Sequence, residues 1–315
     1  MGDPVSYPYP CDPTENEPRP AQLILRNALG QDVDTLNIYG KEYGGEGVTM
    51  LDGYDGFEHA DVTIPRESGA YMKGSKPSEI PRENERIMTV NLGTQAPTAA
   101  RCEDVETRLW KFLSPFFECV MRVYSHRSEP REIGVRLERR PKSLIKRKGP
   151  GLNKVGAWEC VLLACKPDWQ SQELRWTVKR SEMTDIGGGV YEKHVPIINY
   201  GDQPSYPLFA SNQLEATTTV TLPDRNTGRT VTLPPLTAGR EFLVRTDPML
   251  RTLLVRDNTL QWAKMNARAF DDDPIPRSFT EPYTAPIRIQ GGTANTEVTM
   301  YIPQYWQRVW GGEVV

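Results

Sequence analysis

The chain has 315 residues, 38% hydrophobic and 25% charged, an ordinary balance for a globular core and a length suited to two medium domains. Its 41 acidic and 38 basic residues leave a net charge of −3, which excludes a global field drawing the protein to nucleic acid or anionic lipid. The 27 prolines, well above the usual ~5% of a chain, argue against an all-α fold.

The pattern predicts a mainly β protein. Residues 1–20 carry six prolines and read as an extended arm. Leu23–Leu25 and the alternating Thr35–Tyr39 read as strands. Gly40–Pro81 is rich in Gly, Asp, Glu and Pro and reads as a long functional or partner-bound loop with short apolar pieces such as Val62–Ile64. Arg86–Gly93 is a strand. Between Pro97 and Pro115, apolar residues recur at helical spacing (Cys102, Val105, Leu109, Phe112, Leu113), with Thr98 placed to cap the start and Pro115 to stop the helix. Phe116–Tyr124, Arg131–Arg139 and Ala157–Lys166 follow as an antiparallel meander packed on that helix, with Ile133, Val135 and Leu137 on one face of the second strand.

Arg140–Gly156 reads as a basic hairpin tip, and Leu174–Arg180 and Val190–Val195 flank a turn at Gly187–Gly189. Beyond Tyr200-Gly-Asp-Gln-Pro204, short strands recur about every ten residues: Tyr206–Ala210, Ala216–Leu222, Arg229–Leu233, Glu241–Arg245, Thr252–Arg256, Ile287–Ile289 and Glu297–Ile302. That spacing predicts a β-sandwich. The organisation expected is therefore an arm and long loop over 1–80, an N-terminal domain over 81–197 and a sandwich over 198–315.

Catalysis needs convergent titratable groups, and the sequence offers few. The three histidines (His59, His126, His194) have no metal-ligand spacing, and no nucleotide-binding or hydrolase motif occurs, so neither a cofactor nor a catalytic or metal site is expected. Asp271–Asp273 reads as a solvated loop before Pro274, since consecutive side chains point apart. The five cysteines are odd in number and form no CxxC, which fits reduced thiols. No apolar run reaches ~18 residues and no basic-then-apolar leader opens the chain, so neither a membrane span nor a secretory signal is expected.

Two clusters remain. Arg139, Arg140, Lys142, Lys146, Arg147 and Lys148 form a basic tip without stacking aromatics, a pattern that fits a solvated hairpin or a charged protein interface better than specific nucleic-acid readout. Trp262, with Trp306, Trp310, Tyr301 and Tyr305, offers aromatic faces to a glycan or to packing. The sandwich's lack of any histidine disfavours a galectin-type sugar site, leaving a carbohydrate-binding or glycan-acting protein, with Trp262 as the contact, as the alternative.

Several segments taken together resemble a known family. Arg86-Ile-Met-Thr-Val-Asn-Leu-Gly93, Arg108–Pro115, Glu132–Leu137 and Ala164-Cys-Lys-Pro-Asp-Trp169 are similar to the first domain of the distal tail proteins of long-tailed phages, in the minor-tail-protein form common among phages of mycobacteria. Asn199–Pro207, Thr227-Gly228, Leu236–Val244 with Thr246-Asp247, and Tyr305–Gly311 are similar to its second domain. The resemblance covers residues 80–315 and leaves 1–80 outside it. It implies a belt-like first domain followed by a galectin-like sandwich, in a non-enzymatic virion protein forming a homo-oligomeric, hexameric ring. Its implied partners are other copies of itself, the tail tube protein and the hub or tip proteins, with DNA passing through the lumen unread and no membrane insertion. It also implies a place at the virion tail tip, reached by assembly in the host cytoplasm.

Overall fold

The computed structural model describes residues 21–39, 46–69, 71–77, 81–125, 129–145, 154–225, 228–250, 252–255, 261–265, 270 and 274–311. The fold is mainly β, as the spacing predicts, with a single α-helix among the described residues. It divides into two compact units: Met1–Ser171 with Trp306–Gly312, and Gln172–Tyr305 with Glu313–Val315. The first unit is thus discontinuous in sequence.

In the first unit seven antiparallel strands follow one another as ladder neighbours, in the order Asp32–Tyr39, Ala21–Arg26, Cys119–Val123, Arg131–Leu137, Val155–Ala164, Arg86–Gln95 and Val48–Asp55. The ends of this series approach each other, since Glu46 Oε1 accepts from the Asn37 backbone amide at 3.2 Å. Alternation drives the arrangement. Met88, Val90 and Leu92, Ile133, Val135 and Leu137, and Cys160, Leu162 and Ala164 all face one core, as period-2 side chains on a half-buried sheet must. Burial pushes the Cys119 and Cys160 thiols up to about 12, which leaves them inert as nucleophiles.

The helix spans Ala99–Phe112. The Thr98 side chain caps it by accepting from the Arg101 amide at 3.3 Å. Leu109 and Phe112 enter the core, and Trp110 meets Trp158 edge to face at 5.3 Å. Glu106 Oε1 accepts from both Trp158 Nε1 and Thr94 Oγ1, tying the helix to two strands.

The long segment expected as a loop over 40–81 is more ordered than its composition suggests. Val48–Asp55 is a full ladder partner of Arg86–Gln95, and beyond it Val62–Thr63 pairs with Arg82–Glu83 and Arg66–Glu67 with Lys76–Pro77. The glycines that weaken the strand signal are required by geometry: Gly56 has φ +81°, and a Cβ there would lie 2.3 Å from the Ile87 carbonyl oxygen.

In the second unit one sheet runs Thr184–Asp185, Val190–Asn199, Phe279–Gly291, Thr218–Pro223 and Thr230–Thr232, and another contains Glu297–Trp306, Leu208–Ser211, Phe242–Arg245 and Leu253–Val255 in that order. Val195, Ile197, Val220, Leu222, Ala285, Ile287 and Ile289 of the first meet Phe209, Val244, Leu253, Val298, Met300 and Ile302 of the second in one core. Val190–Asn199 thus belongs to this unit, although its texture groups most of it with residues before 198. Phe279–Gly291 is far longer than the expected Ile287–Ile289. It tolerates Pro286 because its ladder with Thr218–Pro223 ends at Arg288, so the strand has a single ladder neighbour there. Gly201 of the Gly-Asp-Gln-Pro turn is needed where it stands, since a Cβ would lie 2.5 Å from the Tyr305 carbonyl oxygen.

Two arginines sit inside the first unit. Arg86 is 1% exposed and donates from Nε to the Pro167 carbonyl (2.6 Å), from one terminal nitrogen to Gly56 (2.9 Å) and from the other to Gln307 (2.6 Å). Arg131, fully buried, donates to the Arg308 carbonyl at 2.7 Å and lies 3.9 Å over the Trp306 ring. Together they hold residues 306–308 against the core. Replacing Arg86 with alanine removes three charge-assisted hydrogen bonds to half-buried carbonyls and empties a buried site, so Arg86→Ala is expected to cost about 3 kcal/mol or more of first-unit stability in denaturant unfolding.

Candidate assembly site

Three surface features of the first unit stand out, each set by an element just described. The first is the basic turn. Arg139 and Arg140 are exposed directly after the strand Arg131–Leu137, and Lys142 opens the short strand Lys142–Ser143, with its ammonium 3.6 Å from Glu159. Lys146, Arg147 and Lys148 lie outside the described residues. So do His126 and Asp271–Asp273, and the side chain of Trp262, on the short helix Gln261–Lys264, is likewise outside them.

Beside the basic turn stands an aromatic pair that the sequence pattern puts at the start of a strand. The strand instead begins at Cys119, and Phe116 is left 91% exposed and Phe117 44%. The Leu137 amide donates to the Ser114 carbonyl, and the Phe116 amide to Ser114 Oγ, which fixes the aromatic loop against the end of the strand that leads into Arg139. The Pro115-Phe-Phe117 run carried the signal. Two aromatics after a helix-stopping proline, with no alternation behind them, need not be a strand.

The third feature is an acidic corner. Asp52, Asp55, Glu58, Asp61, Glu83 and Glu85 are all exposed. Pairing gathers them: Asp55 stands opposite Thr89, Val62 opposite Glu83, and the Asn84 amide donates to the Asp61 carbonyl. Residues 52–61 contain no lysine or arginine, a signal present in the sequence but masked by its loop-like texture.

A separate network braces the strands Ala21–Arg26, Asp32–Tyr39, Cys119–Val123 and Arg131–Leu137. Arg26 bridges Asp32 and Glu132, and Arg122 bridges the same two carboxylates, at 2.6–3.1 Å. Lys111 and Arg108 of the helix reach Asp34. The Arg26 hydrogen bond holds the Asp32 carboxyl below its ordinary value, against the opposing effect of burial, and the Lys111 hydrogen bond does the same for Asp34.

The aromatic residues grouped with Trp262 do not form one platform. Trp306 is buried in the first unit, its Nε1 donating to Ser171 Oγ at 3.0 Å and its face covered by Arg131. Trp310 stacks on Phe57 at 6.4 Å. Tyr301 receives Arg175 in the second unit. Of the described histidines, His59 Nδ1 lies 2.9 Å from Gln307 Oε1 and His194 Nε2 lies 3.3 Å from Glu192. Among the described residues no cluster of His, Cys, Asp and Glu fits a metal ion, and no helix is long and apolar enough to cross a membrane.

No family model and no curated protein matches the chain. Solved structures do. The SPP1 Dit protein (gp 19.1), described as a paradigm of the hub adsorption apparatus in phages that infect Gram-positive bacteria, aligns over 90% of this chain and 98% of its own with a TM-score of 0.56 at 11% identity. A chain of the phage P2 baseplate in its activated conformation with calcium aligns over 94% of this chain and 99% of its own, with a TM-score of 0.51 at 9% identity. The strontium form of that baseplate gives the same values. At such identities the likeness is one of fold, and it extends across both units.

The lowered carboxyls set an acid limit on the sheet. A native pKa below the unfolded ~3.9 gives stability that is present in full above that value and is lost as pH falls through the lowered native one. Asp32→Asn removes one such group, so the drop in thermal midpoint on acidification below pH 4 is expected to be shallower in the variant than in the wild-type chain.

Proposed function

We propose that this protein is a structural component of a phage tail tip, built as a homo-oligomeric, hexameric ring that joins the tail tube to the hub and lets DNA pass through its lumen unread. The observation that carries the proposal is the extent of the fold likeness. A chain of the same two-part β architecture, matched over 98% of its length, comes from a phage hub adsorption apparatus, and another comes from a phage baseplate. Convergence on one isolated sandwich would match only one unit.

The surface supports the same reading. A substrate-turning protein gathers polar groups in a cleft; here the conspicuous groups lie on exposed turns and edges, where partner surfaces meet. In this reading the first unit forms the belt of the ring and the second is a galectin-like sandwich carried outward. The protein acts in the virion tail after assembly in the host cytoplasm, and it turns over no substrate.

Light scattering on the purified protein, with negative-stain imaging, tests this. The expected result is a closed ring with a mass near six chains. A protein that stays monomeric at every concentration, and that occupies assembled tails as a single copy, would sink the proposal.

A further inference from the structure

The acidic corner and the basic aromatic turn stand on different strands of one sheet, the corner beyond the end strand Val48–Asp55 and the turn beyond the central strand Arg131–Leu137. Asp55 is opposite Thr89, Thr89 is opposite Val161, and the Glu138 amide, next to Arg139, donates to the Val161 carbonyl. Two whole strands, Arg86–Gln95 and Val155–Ala164, therefore separate the two patches. At 4.7–4.9 Å per strand spacing that is about 14 Å between backbones, and among the described residues no ion pair joins one patch to the other.

We infer that these two patches are the complementary halves of a head-to-tail contact between copies of this chain, with Phe116, Phe117, Arg139 and Arg140 of one copy docking against the Asp52–Glu85 corner of the next. The inference rests on the ring reading above and names its contact.

Three observations favour a second copy as the occupant. The charges are complementary and reside on the same molecule, so every copy supplies both halves. A contact between two different patches is heterologous, and its repetition builds a ring where the rotation closes and a filament where it does not, whereas a self-complementary patch would stop at a dimer. Finally, an almost fully exposed phenylalanine beside a pair of arginines has the composition of an interface centre, where aromatic and arginine side chains carry most of the binding energy. The acid patch fits this occupant and opposes a nucleic acid, which would find a basic turn on a chain whose net charge is −3.

Charge exchange between copies tests the contact. One variant carries Arg139→Glu and Arg140→Glu; the other carries Asp52→Lys, Glu58→Lys, Asp61→Lys and Glu85→Lys, which leaves four lysines against two carboxylates in the corner. All six side chains are exposed, and unchanged thermal midpoints confirm that both variants fold. Sedimentation velocity should show each variant alone as a monomer, because each then sets like charges against like. An equimolar mixture should regain the wild-type sedimentation coefficient, because alternating copies restore complementarity at every contact.

If either variant alone forms rings as the wild type does, or if the mixture stays monomeric, the assigned contact is wrong while the ring reading stands. The contact is equally wrong if the Arg139/Arg140 variant assembles normally but loses salt-dependent DNA binding. A wild-type chain that never assembles rejects the ring and the contact together.

Discussion

The first unit is organised around two arginines that ought to be expensive where they are. Moving a guanidinium out of water costs several kcal/mol even after relaxation, and only good geometry offsets it. Arg86 meets that condition with three carbonyls from three separate stretches, at Gly56, Pro167 and Gln307. Burial pulls its pKa down while Asp168 and Glu83 oppose the change. Arg131 adds a fourth carbonyl, at Arg308, and a ring face, at Trp306. The bonds converge on residues 306–308, at the far end of the chain from both arginines. Because the two buried guanidinium groups find some of their acceptors on this segment, the core of the unit and its last segment form on the same condition.

That condition positions the surface. Gly56 is the residue at which the edge strand Val48–Asp55 turns away, and Arg86 holds its carbonyl, so the acidic corner around Asp55, Glu58 and Glu85 is attached to the same guanidinium. Phe57 extends the anchoring by packing against Trp169 and Trp310. Across two intervening strands of the same sheet, the end of the helix and the central strand Arg131–Leu137 carry Phe116 and Arg139. A rigid sheet between two exposed patches is the arrangement a repeating contact needs, since geometric error would otherwise accumulate from copy to copy.

Much of this was legible in the sequence. The helix, its Thr98 cap, the strand from Arg86 and the succession of short strands after residue 200 all follow from local periodicity and capping, which depend on neighbours in sequence. What escaped depends on neighbours in space. Val48–Asp55 has poor strand composition and is ordered by its partner strand. Phe279–Gly291 contains prolines and persists because its neighbours are incomplete there. The arginine pair was half visible: Arg86 shares its phase with Met88, Val90 and Leu92, and Arg131 with Ile133, Val135 and Leu137, so alternation alone puts both on the core face. The carbonyls that make this tolerable lie as far as 221 residues away, where no local pattern reaches.

The most direct test of this dependence is native-state hydrogen exchange at the Val309 amide, which donates to the Phe57 carbonyl at 3.2 Å just beyond the arginine contacts. If the last segment belongs to the core that the arginines organise, this amide opens only with the whole unit and exchanges with the same free energy as the amides of Val90 and Leu162 in the central strands. Exchange at Val309 that is orders of magnitude faster than at those positions, with the core still protected, would show the segment to be a separable tail and would contradict the account.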